Sequence, residues 1–216
     1  MAGTLARQLE ERKQASRSRF PARTLAVMDE ATGEVAASGI AGTSLAVGAR
    51  APRFTLPDAA GVPVSLSSLL AGGPVVLSFY RGGWCPYCSI ALRGLQAALP
   101  AITAAGATLA AVSPQTPDSS LSTAEKLELA FPVLSDVGNE VAGSFGLVFT
   151  LPGALREVYT GLGIDLPAAN GDETFRLPIP ATYVIAADGT VAWRFADPDY
   201  TRRAEPDDVL AALAAL

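Results

Sequence analysis

The sequence predicts an α/β fold in which a central mixed sheet is flanked by helices. Short apolar runs rich in β-branched residues alternate with stretches of helical spacing, and this alternation is typical of parallel strand pairing. The apolar run 75–80 has the signature of a central strand that is buried on both faces. The chain has 216 residues, of which 50% are hydrophobic, so it can bury a core without a metal or a disulfide.

The first part of the chain predicts a helical N-terminal extension over residues 1–46. A helix is expected over 4–14, followed by a break at Pro21 and a turn at Thr32-Gly33. After this extension, alternating residues and the turn at 58–61 predict a hairpin over 54–66. Ser67 and Ser68 are expected to cap the short helix that follows.

The remaining elements are predicted by their periodicity. Strands are expected at 75–80, 108–112, 131–134, 181–186 and 190–195, and helices at 120–129, 140–145, 153–159 and 206–216. A further helix is expected from the cysteine motif at 84–88 through Leu99. Apart from 153–159, the segment 146–178 is expected to be irregular, either covering the cysteines or forming a surface embellishment.

Composition and charge exclude several kinds of function. The chain contains no histidine, which excludes Ser-His-Asp hydrolysis and makes the common zinc and non-haem iron sites unsuitable. Residues 1–24 carry six basic residues against Glu10 and Glu11, but the rest of the chain is acidic. We therefore expect a solvated helix rather than a nucleic-acid or membrane surface. The absence of an apolar leader or span predicts a cytoplasmic protein, in which paired cysteines are usually catalytic or redox-sensing.

The motif Cys85-Pro-Tyr-Cys88 lies where the buried strand gives way to a helix. The unpaired amides and the positive dipole at a helix start stabilise a thiolate, and a lowered thiol pKa makes cysteine nucleophilic. Half of a zinc site is disfavoured because no second cysteine pair is present, and two inert thiols are the other alternative. We expect a redox-active pair that forms an intramolecular disulfide and needs no cofactor or metal.

Several motifs in combination resemble the thioredoxin-fold superfamily. They are the pattern Gly48-x-x-Ala51-Pro52-x-Phe54-x-Leu56, the strand 75–80, the segment Trp84-Cys-Pro-Tyr-Cys88, and Pro180-Ala-Thr182-Tyr-Val-Ile-x-x-Asp188-Gly189. Within this superfamily they are similar to peroxiredoxin-like members of the alkyl hydroperoxide reductase/thiol-specific antioxidant family. The resemblance covers residues 47–216 and implies a thioredoxin-like domain there.

The resemblance implies roles for individual residues, although the match is partial. The peroxiredoxin signature of Pro, Thr and the peroxide-attacking Cys falls on Arg81, Cys85 and Cys88, so only Cys88 is retained. The family's second arginine falls at Pro180, which resembles the cis-proline of thioredoxins and precedes the strand that carries Thr182.

A positive charge beside the thiolate must then come from elsewhere. We expect Arg81, with Trp84 next to the motif, to support the cysteines by facing the thiolate, and Arg176 is the other candidate.

Two enzymatic functions follow from the resemblance. The first is a thiol peroxidase that reduces hydrogen peroxide or alkyl hydroperoxides and is reset by a thioredoxin- or glutathione-type reductant. The second is a thioredoxin- or glutaredoxin-like oxidoreductase in which Cys85 attacks disulfides. A non-catalytic sensor that uses residues 1–45 as an interaction surface is a third class. The sequence leaves open which cysteine attacks peroxide and whether the chain forms a homodimer.

Overall fold

A computed structural model describes residues 5–216, and its helices and strands follow the predicted alternation. The helices are α1 (Leu5–Arg19), α2 (Ala22–Ala37), α3 (Ile40–Thr43), α4 (Leu66–Leu70), α5 (Pro86–Ala104), α6 (Pro117–Leu127), α7 (Glu140–Ser144), α8 (Gly153–Gly161), α9 (Leu166–Asn170) and α10 (Pro206–Ala214). The strands are β1 (Thr55–Pro57), β2 (Pro63–Ser65), β3 (Val75–Phe79), β4 (Thr108–Ser113), β5 (Val133–Ser135), β6 (Val148–Thr150), β7 (Arg176–Pro178), β8 (Ala181–Ile185) and β9 (Val191–Ala196).

Five strands form a mixed sheet in the order β5-β4-β3-β8-β9. Strand β3 is central, as predicted, and runs parallel to β4 and antiparallel to β8. All five of its residues are buried, because both faces of the sheet are covered. The prediction of an α/β fold with a mixed sheet between helices is therefore confirmed. The antiparallel hairpin of β8 and β9 is also present.

The two faces of the sheet bury separate apolar clusters. On one face Val76 packs with Leu92 of α5 and Val209 of α10. On the other face Leu77 packs with residues such as Leu66 of α4 and Phe145, which follows α7. The first face carries α5 and therefore the cysteine motif at its start. Within residues 5–216 no helix is both long and apolar enough to span a membrane.

The N-terminal extension packs on the cysteine helix. Leu5 and Leu9 of α1 are buried in the same cluster as α5. The break at Pro21 is confirmed, since α2 begins at the next residue. The turn predicted at Thr32-Gly33 is wrong because α2 continues through both residues to Ala37. The predicted helix over 4–14 extends to Arg19, and Thr4 lies outside the described residues.

Two further expectations are corrected by the structure. The cap of α4 is Ser65, whose hydroxyl accepts from the backbone N–H of Ser68, and not Ser67 or Ser68. Residues 146–178 are more regular than expected, because β6 and β7 pair as a small antiparallel sheet on either side of α8 and α9. The local pattern missed these strands because each has only three residues.

Candidate active site

The two cysteines occupy the first turn of α5. Cys85 is the N-cap residue, Pro86 is the first helical residue, and Cys88 lies two residues later. Proline suits this position because the N–H that it lacks would have no partner within the helix. Both thiols are free and buried, with 2% of Cys85 and none of Cys88 exposed. The motif therefore forms a closed dithiol site rather than a surface pair.

The surroundings of the two thiols shift their pKa values in opposite directions. Burial opposes its ionisation, but its interaction with the Cys85 thiol, the Arg203 guanidinium and the backbone N–H of Arg81 together hold the pKa of Cys88 well below the usual range. Arg203 Nη2 lies 3.0 Å from Cys88 Sγ. Hydrogen bonding to Cys88, burial and the charge of Cys88 raise the pKa of Cys85 well above normal. The site thus favours ionisation of Cys88 over ionisation of Cys85.

Arg203 is the functional residue that the sequence did not reveal. It lies between β9 and α10, 115 residues from Cys88 along the chain. Its Nη1 donates to the carbonyl oxygens of Tyr200 and Arg202 at 2.6 and 2.7 Å, so the guanidinium is held while Nη2 reaches the sulfur. No local motif surrounds this arginine, and only the packing of α10 against α5 brings it to the site.

Arg81 is placed beside the cysteines, but its guanidinium has different partners from those expected. The side chain is 2% exposed, and its Cζ lies 4.9–5.6 Å from the ring centroids of Trp84, Tyr159 and Tyr200. Nη2 donates to Tyr159 Oη and not to a sulfur. The Arg81 charge nevertheless lowers the pKa of both thiols, because it is buried near them. Arg81 therefore supplies a positive field, and Arg203 supplies the direct contact.

Several buried donors near the cysteines have no hydrogen-bond partner within the described residues. Two of them are Nε of Arg81 and Nε1 of Trp84, in the loop from β3 to α5. The intervening Gly82 has a φ of 147°, and a Cβ there would collide with the Trp84 indole. The loop from β3 to α5 therefore depends on this glycine to seat Trp84. Both residues line the cavity, so each donor is a candidate contact for a ligand there.

A cavity of about 310 Å³ leads to Cys85. Its floor consists of Arg81, Trp84, Cys85 and Tyr87, and Cys88 does not line it. The roof comes from α1 and α2 of the N-terminal extension, while Tyr159 and Leu162 contribute the wall. Segment 146–178 thus contributes Tyr159 of α8 and Leu162 to the lining of the cavity that leads to Cys85.

Three of the candidate residues lie farther from the sulfurs. Pro180 is buried and contributes to a small space near Arg81 and Tyr200, but its peptide bond is trans, unlike that of a thioredoxin cis-proline. Thr182 pairs with Ser78 across the sheet, with 3.3 Å between the hydroxyl oxygens. Arg176 lies on β7 and does not line the cavity. Among residues 5–216 no cluster of three or more His, Cys, Asp or Glu could hold a metal ion.

Comparison with known proteins identifies the family that the sequence motifs resemble, and the match covers most of this chain. Residues 47–194 match the AhpC/TSA family. The chain is 38% identical over 116 residues to a chloroplastic peroxiredoxin Q of Sedum lineare, a match that covers 52% of this chain and 61% of that protein. It is 34% identical over 145 residues to a chloroplastic peroxiredoxin Q of Triticum aestivum, covering 65% of each. The chain thus spans less than two thirds of the length of these two relatives.

Solved structures agree on the fold. The crystal structure of peroxidoxin BcpB from Mycobacterium tuberculosis superposes with a TM-score of 0.62 at 26% identity, covering 79% of this chain and 97% of that one. A peroxiredoxin Q from Xanthomonas campestris superposes with a TM-score of 0.55 at 23% identity, covering 75% of this chain and 90% of that one. The predicted thioredoxin-like arrangement is confirmed by these superpositions.

Proposed function

The chain belongs to the AhpC/TSA family, and from this premise we propose that it is a thiol peroxidase acting on hydrogen peroxide or an alkyl hydroperoxide. The observation that carries the proposal is the 3.0 Å contact between Arg203 Nη2 and the buried sulfur of Cys88, which favours its ionised form. A thiolate, and not a thiol, is the nucleophile in such chemistry. Cys88 is also the position on which the peroxide-attacking cysteine of the family signature falls.

The first step is attack of the Cys88 thiolate on one peroxide oxygen. The S–O bond forms as the O–O bond breaks, and Cys88 becomes a sulfenic acid. The other oxygen leaves as water or alcohol after it accepts the proton of Cys85. The unpaired Nε of Arg81 and Nε1 of Trp84 can donate to the oxygen on which charge develops. Cys85 lines the cavity and Cys88 does not, so the peroxide passes Cys85 to react.

The second step follows from the same electrostatics. Interaction with the Cys88 thiolate is what raises the pKa of Cys85 most, and oxidation of Cys88 removes that charge. Arg81 and Arg203 then favour the Cys85 thiolate, since both already act to lower its pKa. This thiolate attacks the sulfenic sulfur and displaces hydroxide, which leaves a Cys85–Cys88 disulfide. Two electrons have then passed from the two sulfurs to the peroxide.

The enclosure of the dithiol favours this function over exchange with protein disulfides. Cys85 is only 2% exposed, and α1 and α2 cover the cavity that leads to it. A peroxide can enter such a space, whereas a disulfide on a protein surface must bring its own backbone against the attacking sulfur. We therefore expect little activity in an insulin-reduction assay.

The proposal is tested by trapping sulfenic acid with dimedone in two single variants. Cys85→Ser should consume one equivalent of peroxide and carry the dimedone adduct on Cys88, because no second thiol can resolve it. Cys88→Ser should lose peroxide reduction. A dimedone adduct on Cys85 in Cys88→Ser, together with a wild-type rate of peroxide consumption, would reverse the assigned roles. A wild-type protein that consumes no peroxide would exclude a peroxidase.

A further inference from the structure

We propose that the disulfide is reduced by a small acidic thiol, such as glutathione, bound in the cavity above Cys85, an assignment that rests on the proposed peroxidase function. The cavity has about 310 Å³, at the lower end of the usual 300–1,000 Å³ of small-molecule sites. It suits a tripeptide thiol with its sulfur at the floor and its charged groups at the roof.

The roof is built into the fold and keeps large molecules from Cys85. Leu5 and Leu9 of α1 are buried against α5. The Glu205 carboxylate accepts from the backbone N–H groups of Leu5 and Ala6 at 3.0 and 2.6 Å, which fixes the start of α1. Helix α1, whose later residues line the cavity, is therefore anchored on the fold at its start. A protein reductant would have to reach the 2% exposed Cys85 past this helix, whereas a small thiol could enter the cavity.

The charge on the cavity lining is unbalanced in favour of anions. Arg17 is paired with Asp29 at 3.1 Å and Lys13 with Asp199 at 3.5 Å. The same lining carries Arg12 and Arg19, which form no ion pair within residues 5–216.

The Arg12 side chain also has an unsatisfied donor. Its Nε is buried and has no hydrogen-bond partner among the described residues. Two arginines without carboxylate partners match the two carboxylates of glutathione, since guanidinium and carboxylate form paired hydrogen bonds.

The position of each sulfur fits the reduction of the disulfide from this cavity. The thiolate of the bound thiol attacks Cys85, the sulfur that lines the cavity, and the bond to Cys88 breaks. Cys88 leaves as a thiolate, and a low leaving-group pKa speeds such exchange. A second thiol attacks the sulfur of the bound reductant in the mixed disulfide. The reductant leaves as its own disulfide, and Cys85 takes up a proton.

The test distinguishes the contribution of the carboxylates of the thiol from the reactivity of its sulfur. Wild-type protein is oxidised with peroxide, and its reduction by glutathione or by glutathione diethyl ester is followed by intrinsic tryptophan fluorescence. We expect glutathione to reduce the disulfide at least roughly 10- to 100-fold faster than the ester at equal thiolate concentration, because the loss of even one charge-assisted contact costs about that much. Equal rates, or faster reduction by thioredoxin at the same concentration, would overturn the proposal.

Variants of the lining residues test whether the faster reduction by glutathione arises in the cavity. Arg12→Gln with Arg19→Gln should bring the glutathione rate down to the ester rate, while Arg7→Gln should keep the wild-type difference between the two. Arg7→Gln is the matched control, because Arg7 lies on α1, pairs with Glu11 and does not line the cavity. If the double variant slows oxidation by a carboxylate-bearing hydroperoxide but not reduction by glutathione, the arginines serve the oxidant and the proposal is wrong.

Failure of the peroxidase function would be seen separately. Diamide forms the disulfide without peroxide, so the reduction rates can be compared even in a protein that does not consume peroxide. The same preference for glutathione over its ester after diamide treatment supports the binding site. If the preference for glutathione is absent after diamide treatment, the proposed binding site is wrong, whichever oxidant forms the disulfide.

Discussion

Replacing Arg203 by alanine should change the reaction with peroxide in opposite directions at low and high pH. The variant loses the 3.0 Å contact from Nη2 to Cys88 Sγ and a positive charge beside a buried thiolate. A hydrogen bond to a charged group contributes about 1.5–3 kcal/mol, or roughly 10- to 150-fold in the thiolate–thiol equilibrium. The pKa of Cys88 therefore rises, since one of the interactions that lower it is gone.

The rate changes less than the equilibrium does, because a more basic thiolate is a better nucleophile. With a Brønsted coefficient of about 0.4–0.5, the variant should react roughly 3- to 20-fold more slowly at pH values below both pKa values. Above both values it should react about 3- to 10-fold faster, since every Cys88 is then ionised. The rates of Arg203→Lys should lie between those of the wild type and of Arg203→Ala. Lysine keeps the charge, but it lacks the planar fork that also donates to the carbonyls of Tyr200 and Arg202.

The assay is stopped-flow tryptophan fluorescence across a pH series, paired with titration of the thiolate by its ultraviolet absorbance. In the wild type the rate should stay constant as pH falls through neutrality and decline only in acid, since the pKa of Cys88 is held low. Arg202→Ala is the control, because Arg202 is exposed and pairs with Asp197 at 3.0 Å. A uniform loss at every pH, with an unchanged thiolate titration, would refute the assignment of Arg203 to the sulfur.

Three further changes test how the site is supported. Gly82→Ala should displace Trp84 and slow peroxide reduction, because the new Cβ meets the indole and the φ of 147° is unfavourable for alanine; a wild-type rate and emission spectrum would contradict this. Leu9→Ala should lower the free energy of unfolding by about 2–4 kcal/mol, since Leu9 is 4% exposed in the core, and urea titration against exposed Gln14→Ala measures it. Tyr159→Phe removes the acceptor of Arg81 Nη2 and should cost about 1–3 kcal/mol in the same titration, whereas no change would mean that stacking alone holds Arg81.

The elements that the sequence predicted well are those whose signal is local. Strand β3 is a continuous apolar run, and the start of α5 is marked by Pro86 directly after the N-cap Cys85. The turn expected at Thr32-Gly33 failed because tertiary packing outweighs the propensity of one glycine, with Ala31 and Val35 buried on either side of it. Strands β6 and β7 were missed because three residues cannot establish a period.

The residues of the site likewise divide into those with a local sequence signal and those brought together only by tertiary packing. Cys85, Cys88 and Arg81 lie within eight residues, so a motif could indicate them. Arg203 reaches Cys88 only because α10 packs against α5, and that contact has no trace in the local sequence. The roof of the cavity is likewise a tertiary feature. Its basic residues were expected to form a solvated helix face, and four of them, Arg12, Lys13, Arg17 and Arg19, also line the cavity that leads to Cys85.

The departure of this chain from the family signature has a chemical logic. The signature places a threonine at the position of Cys85, and a hydroxyl there is a hydrogen-bond donor. The Cys85 thiol is also a donor, and its interaction with Cys88 helps to keep the pKa of Cys88 low. Unlike a hydroxyl, it can also form a disulfide. The replacement therefore retains the donor and adds the resolving sulfur within one helical turn, so that oxidation requires no distant segment to approach. The same turn leaves Cys85, and not Cys88, on the cavity side, where we propose that the reductant attacks.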